Sequence, residues 1–427
     1  MKNTFFTAAS GESTLDLRNT IIRVIATASI SDRVRSSTRW SASLLCLALA
    51  ACGGGSSSNS SGQVETPTAT ATATPIPAPT PTPTPTPEAA AETTLSAPFA
   101  QPVAEITDLP ECTDTPDPVV QLETISMYVT GDTTYSQIDP EKLAERTAML
   151  KPITTFTAAV SHYANKYVES GGTDTDSGGC ALAWLNAWAG THAMTQMLDD
   201  ESQFVRSVNL AAWALAYAQV KNLQVDRNAP HAAIETWLAD MANDMRSYVD
   251  SLTDKTARNN HRYWAGLAAI SVALDTGDSD LADWSVESAE IGISQITSEG
   301  ALPLELERGS RAAHYHLYAA APLVMTAAIA ATKGVDLYAE NDGALHRLVS
   351  FATSSVFSPD EIETLSGAEQ EAFDITSSVG QQNLAWFEFY AKSFPDQAPA
   401  QDQIFKYRPL RNNEIGGDMT MLAQSLS

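Results

Sequence analysis

The chain has 427 residues, 44% of them hydrophobic, four cysteines and a formal net charge of -26. That charge excludes nucleic acid as a partner, because binding a phosphate backbone needs a basic face. A polyanionic ligand stays admissible where arginines gather in a cleft, since local focusing does not depend on the total charge.

Arg33, Arg35 and Arg39 precede an apolar segment, residues 41–51, that is too short to span a bilayer and ends Leu49-Ala50-Ala51-Cys52 before three glycines and a run of serines. The pattern is similar to a bacterial lipobox, so residues 1–51 read as a lipoprotein signal peptide with lipid carried on Cys52. Gly53, rather than aspartate, after that cysteine favours the outer membrane, facing the periplasm or the cell surface. Removing residues 1–51 takes away six basic and three acidic residues and moves the net charge from -26 to -29. Cys46 leaves with the leader, so Cys112 and Cys180 remain as a pair in an oxidising compartment and are expected to form a disulfide.

Residues 52–108 read as a disordered tether, first Gly/Ser, then Thr/Pro repeats including Pro79-Thr80-Pro81-Thr82-Pro83. Such a composition cannot bury a core and favours extended, polyproline-like conformations. The folded domain is expected over residues 109–427.

Asp139-Pro140 is a helix start, a capping carboxylate followed by proline at the first helical position. Met149, Ile153, Phe156, Val160, Tyr163 and Tyr167 then recur at helical spacing, with Pro152 kinking or dividing the helix and Gly171-Gly172 ending it. Further helical stretches are predicted at about 180–198, 202–223, 230–252, 260–275, 279–297, 310–333, 342–357 and 380–393. No regular run of alternating β-branched residues competes with them. Many antiparallel helices joined by short turns predict an all-α fold, an α/α toroid or solenoid. Residues 125–137 lack a helical period, and Tyr128 and Tyr135 there are placed either as a lid over a cleft or on an ordinary surface connection.

Two polar stretches stand out inside the apolar helices: Asn259-Asn260-His261-Arg262-Tyr263-Trp264, and Arg308-Gly309-Ser310-Arg311 leading to His314-Tyr315-His316-Leu317-Tyr318. Removing the proton beside the carboxylate of a uronate requires groups that bind and neutralise that carboxylate, such as an amide, an imidazolium or an arginine, and a base to take the proton. Asn260, His261, Arg308 and Tyr315 are of the right types, and Arg308 or Arg311 could lower the phenol pKa of Tyr315. Read alone, Tyr263, Trp264, Tyr315 and Tyr318 fit an aromatic core face equally well, and Trp184, Trp188, Trp213 and Tyr217 fit core or sugar-stacking positions. His314 and His316, two apart, point in different directions on a helix and make a poor metal site. No metal motif, phosphate loop or nucleophile elbow is present, so no metal or other cofactor is expected.

Asn259-Asn260-His261-Arg262-Tyr263-Trp264-Ala265, Gly300-Ala301-Leu302-Pro303-Leu304-Glu305-Leu306-Glu307-Arg308, Tyr315-His316-Leu317-Tyr318 and Pro322-Leu323 closely resemble the alginate lyases that cleave poly-β-D-mannuronate. Weaker matches extend the resemblance over about Cys112 to Met419. It implies an incomplete α/α toroid with a deep cleft, and a monomer acting on an acidic polysaccharide without a cofactor. It further implies that Asn260, His261 and Arg308 bind the carboxylate and that Tyr315 is acid and base in a syn β-elimination. Tyr128, Trp184, Trp188, Tyr217, Arg311 and Tyr318 are the implied substrate-binding residues. The chain departs from the family pattern at Met127, where a lysine is usual, and at Glu414, where an arginine is usual. Glucuronan is therefore a second candidate substrate. A tethered glycan-binding protein without turnover and an inverting toroid hydrolase are the rival classes.

Overall fold

Asp139 starts the helical part as the sequence predicts: its carboxylate accepts hydrogen bonds from the backbone N–H groups of Glu141 and Lys142, and Pro140 opens α1 (Pro140–Met149). The computed structural model describes residues 94–424 and 426. The expected signal peptide, the expected lipid attachment at Cys52 and the expected tether up to residue 93 lie outside the described residues. Pro152 falls in the first turn of α2 (Lys151–Glu169) and cannot continue the hydrogen-bond ladder of α1, so two helices meet at Leu150. Ile153, Phe156, Val160, Ala164 and Tyr167 form the buried face of α2, while Met149 is exposed.

α3 (Thr175–Ala189) begins five residues before the expected position because Asp174 caps it, and it ends at Ala189 rather than near 198. Residues beyond it form β3 (Gln196–Met197), which pairs in parallel with β2 (Gln121–Leu122). α4 (Asp200–Val220) opens with a reciprocal Asp199/Ser202 capping box. β4 (Leu223–Val225) pairs in parallel with β1 (Ala104–Ile106), and Phe99 is buried in the main core. The folded part thus starts upstream of residue 109. Its first strand has a partner more than a hundred residues away, which local composition does not display.

The remaining α-helices are α5 (His231–Ser251), α6 (Asn260–Thr276), α7 (Ser279–Ile293), the short α8 (Pro303–Leu306), α9 (Ala312–Ala331), α10 (Glu340–Phe357), α11 (Asp360–Ser366), α12 (Ser378–Leu384), α13 (Phe387–Ser393), the short α14 (Gln401–Ile404) and α15 (Met419–Gln424). Helices α2, α4, α6 and α9 neighbour one another as an inner layer, and α3, α5, α7 and α10 pack on them from outside. This alternation is an incomplete α/α toroid, as expected. α6 and α9 are apolar around nearly their whole circumference, which suits helices enclosed by others on every side.

Two close approaches hold the layers together. A Cβ on Gly292 would sit 2.7 Å from the Tyr263 ring, so glycine lets α7 lie directly on α6. Arg262, buried on α6, donates to Ser288 on α7 at 2.7 Å and to Asp250 on α5 at 3.2 Å, and lies over the Trp284 ring. A Cys112–Cys180 disulfide joins the entry segment to α3. Near the C-terminus, β5 (Arg411–Asn412) and β6 (Gly417–Asp418) form a small antiparallel ladder. Asn165 of α2 holds the turn between them by donating to the Gly416 carbonyl and accepting from Asp418 N–H.

Candidate active site

Asn259 ends a one-turn helix and caps α6 by accepting from His261 N–H at 3.0 Å. Asn260 and His261 are therefore the first residues of α6, at the end where its unpaired N–H groups and dipole favour an anion. The Asn260 side chain is buried. Its Nδ2 faces both oxygens of Glu305, at 3.0 and 2.9 Å, and its backbone N–H donates to Glu305 at 2.9 Å, leaving Oδ1 without a partner. Asn260 thus does not offer its amide N–H groups to the cleft, as its sequence-assigned role required, because a buried carboxylate takes them.

Glu305 has no exposed surface, and Arg308 Nε lies 3.5 Å from its second oxygen. One carboxylate on the single turn of α8 therefore fixes both the asparagine and the arginine of the site. The turn is itself anchored by His316 on α9, whose Nε2 accepts from Leu302 N–H at 2.9 Å while Nδ1 donates to the Ala312 carbonyl. Sequence alone does not single out Glu305 as part of the site. Its visible signal is an acidic residue three before Arg308, the spacing of neighbours on one helical turn.

Arg308, Gly309 and Ser310 lie outside α9, which begins at Ala312. The Arg308 guanidinium nonetheless reaches the Tyr315 ring, 4.4 Å from its centroid, and Arg311 lies 5.6 Å from it. The Tyr315 hydroxyl hydrogen-bonds that of Tyr128, which also accepts from Arg311 at 2.9 Å. The segment holding Tyr128 is a strap: Val129 N–H bonds the Gln137 carbonyl and Asp139 N–H bonds the Met127 carbonyl, both at 2.9 Å. Tyr135 packs edge-on against Tyr128 and sits under Arg308, so the strap lies over the site as a lid.

Burial raises the Tyr315 pKa well above that of an ordinary phenol and Tyr128 adds to the rise, while Arg308 and Arg311 oppose it. The phenol is therefore protonated in this closed arrangement. Burial and the charge of Arg308 lower His261 to about 3, so its imidazole is neutral and the positive charge of the site resides on the arginines. His261 stacks on Phe204 of α4, ring centroids 3.7 Å apart, a contact with no sequence signal.

Tyr318 lies beside Tyr315 on α9, partly exposed to the cleft. Trp184, Trp188 and Tyr217 do not line it. Trp188 is fully buried, stacked on Phe156 at 3.8 Å, with its N–H on the Pro116 carbonyl; Trp184 donates to the Thr113 carbonyl. Tyr217 is fully buried near the end of α4 and bonds Glu235 and His231. The neighbouring Lys221 bonds the carbonyls of Leu274 and Asp275 at the last turn of α6, the end opposite Asn260 and His261. Core aromatics and cleft aromatics share the same helical spacing, and here the core claimed them.

The sequence profile of the alginate lyase family matches residues 113–362. This chain belongs to that family. A polysaccharide lyase of Stenotrophomonas maltophilia (strain K279a) is 34% identical over 294 residues, covering 67% of this chain and 84% of the relative. An alginate lyase of Azotobacter vinelandii (strain DJ / ATCC BAA-1303) is 31% identical over 324 residues, covering 74% and 84%. Among solved structures, alginate lyase A1-III from Sphingomonas species A1 superposes with a TM-score of 0.60 at 24% identity, over 74% of this chain and 89% of that one. A tetrasaccharide complex of alginate lyase A1-III gives 0.64, over 73% and 85%. The protein is thus a lyase of the alginate lyase family, which implies an acidic polysaccharide as substrate, and Arg308 and Arg311 gather at the candidate site of this acidic molecule.

Proposed function

We propose that this lyase cleaves β-1,4-linked mannuronate by syn β-elimination. The observation that carries the reading is the Tyr315 phenol with the guanidiniums of Arg308 and Arg311 over its ring, Arg308 also acting on the neutral His261 imidazole at the α6 N-terminus. A substrate carboxylate placed there meets Arg308 and an imidazole N–H, which stabilise the negative charge that develops when H5 is removed. The C5–H electron pair forms the C4–C5 double bond, the C4–O4 bond breaks, and O4 leaves with a proton. In β-mannuronate H5 and O4 lie on one side of the ring, so the same phenol can take the first proton and supply the second.

The base form of Tyr315 belongs to the open state. Tyr128 raises the phenol pKa and occupies its hydroxyl, so withdrawal of the strap both admits the chain and leaves the two arginines to lower that pKa. The reading invokes no cofactor. Lipid attachment at Cys52 and an outer-membrane location, resting on the leader pattern and the tether composition, and a monomeric state, resting on the family resemblance, complete the proposal.

A panel of defined uronans tests the reaction. Polymannuronate is expected to give unsaturated, ultraviolet-absorbing ends faster than polyguluronate or glucuronan. Fastest cleavage of glucuronan would replace the substrate, reducing ends without the double bond would indicate a hydrolase, and no product from any polymer would leave a glycan-binding protein. Cys52→Ser is expected to release the protein from the membrane fraction.

A further inference from the structure

Next to Tyr315 on α9 lies an open pocket of about 190 Å³, lined by Trp264, His314 and Tyr318 and by Gln382, Asn383, Asn412 and Glu414. The volume is below that of a typical drug-sized pocket and suits one sugar ring. Tyr318 presents a partly exposed ring to this pocket, the kind of surface on which the apolar face of a pyranose rests, and the buried Trp264 backs it at 5.0 Å between ring centroids.

The polar groups around the pocket are the amides of Gln382, Asn383 and Asn412, the His314 imidazole and the Glu414 carboxylate. Trp264 is 1% exposed and its indole N–H, a donor with no acceptor, has no partner in the protein. Glu414 supplies a carboxylate, drawn into the pocket by the turn that follows β5, where its own N–H is held by Asn412 Oδ1 at 2.9 Å. Burial pushes that carboxyl up to about 7, against the hydrogen bond from Gln382 that holds it down, so it gains from any further donor. None of the lining residues is lysine or arginine. His314 supplies no charge either, because burial and Arg311 lower its pKa to about 3.

A uronate carboxylate is a poor guest for such a pocket: it only accepts hydrogen bonds and would face Glu414 with no cation between them. Hydroxyls both donate and accept, and match an acceptor carboxylate flanked by the side-chain amides of Gln382 and Asn383. We infer that the pocket is a subsite that grips one sugar unit of the polymer by its ring hydroxyls, with Glu414 as acceptor, and turns that unit's carboxylate away. The inference rests on the polyuronate lyase reading for the polymer, and the geometry of that polymer is compatible with it. Successive β-1,4-linked units face opposite sides, so a chain whose carboxylate meets Arg308 at Tyr315 presents its next carboxylate on the other side. Glu414 is then a specificity-determining residue, selecting the orientation of the unit next to the reacting one.

The test is calorimetric titration of a mannuronate tetramer into the Tyr315→Phe protein and into the same protein carrying Glu414→Ala or Glu414→Gln. Loss of a hydrogen bond to a charged group is expected to raise Kd about tenfold in Glu414→Ala. Glu414→Gln, which keeps an acceptor, is expected to fall between. Equal or tighter binding by Glu414→Ala, as a merely repelling carboxylate would give, overturns the inference, and so does a tetramer that fails to bind the Tyr315→Phe protein. Melting curves confirm that each variant is folded. Wild type assayed in parallel for unsaturated product separates the two claims: absence of product sinks the lyase reading alone, whereas tighter binding by Glu414→Ala sinks the subsite alone.

Discussion

Glu305→Gln probes the part of the site that chain order conceals. The carboxylate is fully buried, accepts three hydrogen bonds from the backbone and side chain of Asn260, and is the close counter-charge of Arg308. Glutamine has the same shape but puts an amide NH2 where one oxygen stood. It therefore sets donor against donor at Asn260 Nδ2 and leaves the arginine without its ion pair. Stripping one member from a buried pair costs about 3–5 kcal/mol. Arg308 also lies over the rings of Tyr135 and Tyr315, which relieve part of its charge, so the lower end, about 3 kcal/mol, is expected. With an unfolding entropy of about 2.1 cal/mol/K per residue over the described domain, that is a fall in Tm of about 4 °C.

The kinetic effect should be of similar size in free energy, since both Asn260 and Arg308 lose the group that aims them. A displacement of about 1 Å in a positioning group costs about a hundredfold in rate. Initial rates read from the absorbance of unsaturated ends are expected to show kcat lowered by about that factor, with a much smaller change in KM. A Glu305→Gln protein that melts lower but keeps the wild-type kcat would show that the carboxylate only supports the fold, and would refute this account of the site.

Tyr315→Phe is expected to abolish turnover while oligosaccharide binding, measured by calorimetry, is largely retained; wild-type turnover would remove Tyr315 from the mechanism. Tyr128→Phe removes a group that raises the Tyr315 pKa, so the acidic limb of the kcat/KM profile should move to lower pH; an unmoved limb would mean that the strap does not tune the phenol. For Glu414, the folded-state pKa is raised to about 7 from 4.5, so its contribution to stability is fully present below about 4.5 and is lost as pH rises through 7. Glu414→Gln should therefore melt progressively higher than wild type as pH rises across that window, and a pH-independent difference would contradict the burial of the carboxyl. Replacing both Cys112 and Cys180 with serine frees a loop with ends 68 residues apart and should cost about 4 kcal/mol, or about 6 °C in Tm. Melting unchanged by the double substitution would mean that the bridge does not constrain the unfolded chain.

Much of the architecture was legible in the chain because its causes are local. Asp139-Pro140 capped a helix, Pro152 divided one, and the apolar period marked out most of the inner and outer helices. The motifs around Asn260, His261, Arg308 and Tyr315 gather at one end of the inner helices, since each lies at or near the start of α6 or α9. Tertiary structure decided which polar groups meet. Glu305 takes the Asn260 amide, Tyr128 crosses from the strap to Tyr315, Glu414 arrives from the C-terminal turn, and β1 finds β4 far along the chain. It also decided which aromatics are core, burying Trp188 and Tyr217 while leaving Tyr318 at the cleft. Helix period records that one face of a segment is covered. Whether it is covered by protein or left for a ligand depends on long-range packing, and on which buried carboxylate, carbonyl or hydroxyl satisfies each polar atom.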